Sequence, residues 1–134
     1  MKKTILLFCA LILVIKLRAQ TVSGDTALTL KNLYQEIVKD SIKFPETVLR
    51  QAIVETGWLK STACKKRNNL FGFNNGVTKY KSWQDAVKSY KKWQDRYYRE
   101  GSYENFLIRI KYAKDTRHYV SFLKKIKIPE GIME

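Results

Sequence analysis

The chain has 134 residues, 45% of them hydrophobic and 28% charged, which suits one small domain with a single core and excludes a larger assembly of domains. Lys and Arg number 26 against 12 Asp and Glu, a formal net charge of +14, so the favoured partners are anionic: nucleic acid, a membrane surface or a cell-wall polymer. Two cysteines and one histidine exclude a metal centre of His and Cys ligands, and no cofactor is expected.

The first element is a targeting segment. Lys2 and Lys3 precede an unbroken apolar run from Ile5 to Ile15, then a polar stretch from Lys16 to Arg18 leads to Ala19. A charged start, an apolar middle and a small-residue exit predict a secretory signal over residues 1–19, with Leu17 and Ala19 before the cut. The run is short for a membrane span, so contact with the membrane is expected only through this segment if it stays uncleaved. Cys9 lies inside the apolar run and not at its end, which argues against a lipoprotein signal. The mature domain is then residues 20–134, with its core at about 26–127. Four of the basic residues lie in the signal, so the remaining 115 residues hold 22 basic and 12 acidic side chains, a net +10. Export predicts a periplasmic, secreted or wall-associated protein and disfavours nucleic acid as partner. Cys64 is the one cysteine left, so no intramolecular disulfide can form, and it reads as a small buried or half-buried residue.

Helical spacing runs from Thr26 to Ile42, with Leu30, Leu33, Ile37 and Ile42 inward. Phe44-Pro45 ends it, and Pro45 suits the first turn of a second helix. That helix turns Val48, Leu49, Ala52 and Ile53 inward and stops near Gly57, which places Glu55 at the edge of its apolar face. Leu70–Phe73, Asn74-Asn75-Gly76 and Val77–Tyr80 read as a β-hairpin around an Asn-Gly turn. Ser82 caps a third helix with Trp83, Ala86, Val87, Tyr90, Trp93 and Tyr97 as a core stripe, and Asp85 three residues on completes the cap. Gly101 breaks the pattern, Ser102 caps a fourth helix through Ile110, and Asp115 caps a last one bearing Tyr119, Leu123 and Ile126. The predicted fold is mainly α, an α+β arrangement with one short hairpin after the glutamate helix.

Glu55 is the only acid between Glu46 and Asp85 in a strongly basic chain. A carboxyl set against apolar and aromatic surface keeps its proton towards neutral pH, as a general acid in glycoside hydrolysis must. By itself such a glutamate also fits a solvated last helical turn. Gly57 leaves room for a polymer, and Trp58 can stack on a sugar face or seal the core.

The segments "QAIVETGWLKS", "NNLFGF", "YKSWQDAVKSY" and "YAKDTRHY", in that order, resemble the glucosaminidase-type peptidoglycan hydrolases of the lysozyme-like superfamily (mannosyl-glycoprotein endo-β-N-acetylglucosaminidase-like). The resemblance covers roughly Lys43 to Ile126, and Glu55-Thr56-Gly57-Trp58 and Asn68-Asn69-Leu70-Phe71-Gly72 are its most specific parts. It implies a lysozyme-like fold and cleavage of β-1,4 bonds in peptidoglycan by a monomer, with Glu55 as general acid. Tyr112 would face that acid and orient substrate or stabilise positive charge at the sugar carbon. Trp58, Asn69 and Phe71 would contact substrate: Asn69 within the corner it belongs to or at the N-acetyl group, Phe71 as a cleft wall. Many relatives carry a second acid on a longer β-lobe, and here the interval from Glu55 to Asp85 has none. The 2-acetamido group of the substrate, or a water held by Tyr112, would then do that acid's work. A muramidase or lytic transglycosylase, or a wall-binding domain without turnover, are the alternatives.

Overall fold

The computed structural model describes residues 26–134, so the expected signal segment and its cut before Gln20 lie outside the described residues. Six helices occur among the described residues: α1 (Leu30–Lys39), α2 (Pro45–Thr56), α3 (Thr62–Arg67), α4 (Trp83–Tyr97), α5 (Tyr103–Arg109) and α6 (Thr116–Lys125).

Helix α2 is the axis of the molecule. Val48, Leu49, Gln51, Ala52, Ile53 and Thr56 are all buried, which takes up most of its circumference, and α1 and α6 pack against it. Truncating Leu49 or Ile53 to Ala at such sites costs about 2–5 kcal/mol. Its start has no side-chain cap; Pro45 opens the first turn, and Phe44 enters it with φ 57°. That strained backbone is held by the Phe44 ring, stacked on Tyr103 at 4.8 Å and edge-on to Tyr98 at 5.5 Å. At the other end Gly57 (φ 54°) closes the helix, as its position in the sequence predicts. Trp58 and Leu59 continue in the left-handed region. Thr56 holds this turn in place: its hydroxyl donates to Ala52 O (2.6 Å) and accepts from Leu59 N (2.8 Å).

The local signals at the other helix starts act as expected. Ser82, Ser102 and Asp115 accept the N–H groups of Asp85, Asn105 and His118. Helix α1 is shorter than its apolar spacing suggests, because Thr29 caps it from Asn32 N and Ser41 turns at φ 56°. Leu33, Ile37 and Ile42 of its predicted stripe are buried. Helix α3 was not anticipated; its Ser61 cap accepts from Cys64 N (3.2 Å), and Cys64 is a buried free thiol.

The hairpin at 70–80 is corrected: no strand forms among the described residues, and the fold is mainly α. A two-residue hairpin turn needs two positive φ angles. Here Asn74, Asn75 and Gly76 all take them (52°, 52° and 76°), which winds a left-handed turn that does not return two strands in register. The carbonyls a ladder would use are taken elsewhere. Asn69 Nδ2 donates to Phe73 O and Thr78 O, both at 3.0 Å, and Asn68 Nδ2 donates to Tyr80 O at 3.1 Å. The segment is thus a loop folded over two asparagine side chains.

Candidate active site

Glu55 occupies the last turn of α2, half-buried, with its carboxyl against the backbone of Gly72. Gly72 has φ 70°, and a Cβ there would overlap Glu55 Oε2 and stand 2.9 Å from Cδ. Glycine fits this backbone without strain and leaves the Glu55 carboxyl in place. This joins the two most specific sequence motifs: the glycine ending Asn-Leu-Phe-Gly is the seat of the Glu55 carboxyl. Burial holds that carboxyl above the usual carboxylate range. The buried Tyr119 hydroxyl pulls in the opposite direction from nearby, without closing a hydrogen bond of full geometry.

Tyr112 shares the cleft lining with Glu55. Its hydroxyl donates to Phe71 O at 2.8 Å, and its ring stacks on Tyr119 (5.6 Å) with its edge against Trp93 (5.5 Å). Burial above all, with the nearby Tyr119 and Glu55, pushes its phenol well above the ordinary range, so it is neutral at any physiological pH. With its proton held by the Phe71 carbonyl, the Tyr112 oxygen has only lone pairs to turn towards a ligand. That suits a centre where positive charge develops.

These groups line a cleft of about 620 Å³ between the end of α2, the 69–76 loop, Trp93 of α4 and the α5–α6 connection. Of the predicted site residues, Glu55, Asn69, Phe71 and Tyr112 come together in its lining. Asn69 is buried at 2% exposure; its amide hydrogens serve the loop carbonyls, and Oδ1 has no protein partner. Phe71 contributes its carbonyl more than its ring, which packs on Tyr90 at 4.4 Å. Trp58 is not brought in: it stands exposed outside the lining, on the turn that Thr56 holds.

Sequence reading missed three contributors. Trp93, placed in the core stripe, is half-exposed and walls the cleft. Asn74–Gly76, read as a hairpin tip, form its opposite rim. Tyr119, placed only on the last helix, turns its buried hydroxyl towards Glu55 and Gln51. Only the crowding of aromatics in the sequence hinted at Trp93 and Tyr119.

Within the cleft lining Glu55 is the one carboxyl. A single carboxyl with a raised pKa, a neutral phenol and an aromatic wall can protonate a leaving oxygen and shield a cationic carbon. Residues 31–128 match the family model described as mannosyl-glycoprotein endo-beta-N-acetylglucosaminidase. No curated protein and no solved structure matches the chain.

Proposed function

The chain belongs to the glucosaminidase family, whose members are glycoside hydrolases acting on glycans, and on that premise we propose an exported endo-β-N-acetylglucosaminidase of peptidoglycan. The observation that carries the reading is the Glu55 carboxyl, its pKa raised by burial, seated on Gly72 in the same cleft lining as Tyr112. Glu55 gives its proton to the oxygen leaving the anomeric carbon. The 2-acetamido oxygen of the same N-acetylglucosamine attacks that carbon, standing in for the second carboxylate that the cleft lining lacks. Water then opens the cyclic intermediate, giving a proton back to Glu55. Tyr112 turns its oxygen towards the sugar carbon as positive charge grows there. Asn69, buried with an unpartnered Oδ1, fixes the corner and accepts from the acetamide N–H when the cleft is filled. The basic surface holds the enzyme on anionic wall material, more weakly as salt rises.

The one-carboxyl cleft also suits a lytic transglycosylase, which needs an acid and no water. Mass spectrometry of glycan ends released from purified sacculi separates the readings. Reducing N-acetylglucosamine is expected; reducing or anhydro-muramic acid ends would replace it with a muramidase or a transglycosylase, and no new ends would leave a wall-binding domain. Glu55→Gln keeps the shape without the acidic proton, so turnover should fall roughly 10²–10⁴-fold while sacculus binding persists. Wild-type turnover by this variant would remove Glu55 as the acid.

A further inference from the structure

Adjoining the cleft is a second concavity of about 610 Å³ whose wall includes Lys111, Ala113, Lys114, Asp115, Thr116 and Arg117. It shares Ala113 and Lys114 with the cleft, so the α5–α6 connection is the common wall of both. Lys111, Lys114 and Arg117 are exposed, and none of them enters an ion pair among the described residues. Lys39, Arg50, Lys91 and Lys124 do face acids on their own or adjacent helices. The one carboxylate in the wall, Asp115, is turned to the start of α6, where it accepts from His118 N at 3.1 Å. The basin therefore has three free cations and one engaged acid, next to a site for an extended glycan. The basic run Lys65-Lys66-Arg67 on α3 lines neither concavity, so charge alone does not mark a basin on this chain.

We propose that this basin is a subsite for a carboxylate borne as a substituent on the same glycan strand whose scissile bond occupies the cleft. The proposal rests on the peptidoglycan reading, since strands of that polymer bear lactyl and peptide carboxyls beside the sugars. Because the basin and the cleft share Ala113 and Lys114, they adjoin, and a strand lying in the cleft can reach the basin with a substituent. Arg117 offers a planar fork that matches a carboxylate, and the two ammonium groups add charge without fixed geometry. Solvent-exposed cations act mainly on encounter and ground-state binding, so the subsite shows in KM and not in kcat. It would make the enzyme prefer strands with free carboxyls over neutral N-acetylglucosamine polymers.

The test is the full chain against its double variant Lys111→Gln/Arg117→Gln, which leaves Lys114 and the cleft lining intact. Binding is measured by calorimetry, and kcat/KM is measured in parallel, on three ligands: neutral N-acetylglucosamine oligomers, glycan strands with free carboxyls, and the same strands after chemical amidation. For the free-carboxyl strands the variant should lose about five-fold in affinity, the scale of two exposed ion pairs, and the loss should vanish on amidation or at high salt. Neutral oligomers should bind both proteins alike. No loss on free-carboxyl strands, or an equal loss on neutral or amidated ligands, overturns the subsite. Because binding needs no turnover, a protein that binds strands with this preference but cleaves nothing would retain the subsite and sink the hydrolase reading alone.

Discussion

The two polar sides of α2 are built on opposite rules. Towards α4 and α5 the buried polar groups close on one another. Tyr90 donates to Gln51 Oε1 at 2.6 Å and meets Tyr103 at 2.5 Å, and Gln94 donates to Tyr103 at 3.1 Å while pairing with both backbone groups of Lys43. Burial pushes the Tyr103 phenol up to about 12, so it stays a neutral link. Towards the cleft the polar groups are looser: Asn69 Oδ1, in the cleft lining, has no protein partner, the Tyr119 hydroxyl turns to Glu55 and Gln51 without a bond of full geometry, and Glu55 is seated on a glycine. Buried polar atoms are normally paired, so an unpaired one in the cleft lining, Asn69 Oδ1, marks where the fold keeps a group for a ligand. Asp40 Oδ2 and Gln84 Oε1 are unpaired too, but they lie at the end of α1 and the start of α4, away from the cleft lining. Gln51 belongs to both sides, which makes it the joint between scaffold and site.

That contrast can be broken by substitution. On the cleft side Tyr112→Phe should have the largest effect after loss of Glu55 itself, about 10²–10³ in turnover, through a polar group positioned at the reacting centre. Its stability should drop by only about 1 kcal/mol, for the lost bond to Phe71 O. Near-normal turnover would return Tyr112 to the scaffold.

Gly72→Ala should come next. The left-handed backbone costs an alanine about 1–2 kcal/mol, and its Cβ would push the Glu55 carboxyl off its seat. A displacement on the order of 1 Å suffices for roughly 10² in rate. Kinetics and a thermal melt on one preparation check both halves, and full activity would show that the carboxyl does not need the glycine.

On the closed side the pattern should reverse. Tyr103→Phe leaves Tyr90 and Gln94 short of a partner and should cost about 1–3 kcal/mol in chemical denaturation, with kcat unchanged. A fall in kcat without a fall in stability would erase the distinction between the two sides.

The smallest expected effect sharpens the role of Tyr119. Its hydroxyl lowers the pKa of Glu55 against the dominant effect of burial, so Tyr119→Phe should raise that pKa further. A general acid acts while protonated, so activity is lost as pH rises through its pKa. The alkaline limb of the pH–rate profile should therefore move to higher pH in the variant. An unmoved limb would mean that Tyr119 does not sense the acid.

Much of this molecule was legible in its residues because the deciding interactions are local. The caps at Ser82, Ser102 and Asp115 each close over three residues, Pro45 and Gly57 bracket α2 by their own backbone limits, and period alone turned Leu33, Ile37, Leu49 and Ile53 inward. The lone acid and the Asn-Leu-Phe-Gly run could be picked out the same way. Their relation could not. Whether residues 70–80 form a ladder depended on Asn69 taking the carbonyls of Phe73 and Thr78, so a side chain outcompeted the backbone pairing that the Asn-Gly turn favours. The seat of Glu55 on Gly72, the bond from Tyr112 to a carbonyl 41 residues earlier, the turn of Trp93 into the cleft and of Trp58 away from it all wait on the packing of α2, α4 and α6. Short-range hydrogen bonds and steric limits are written in neighbouring residues, whereas what lies beside a carboxyl is set by chain segments that meet only when the core closes.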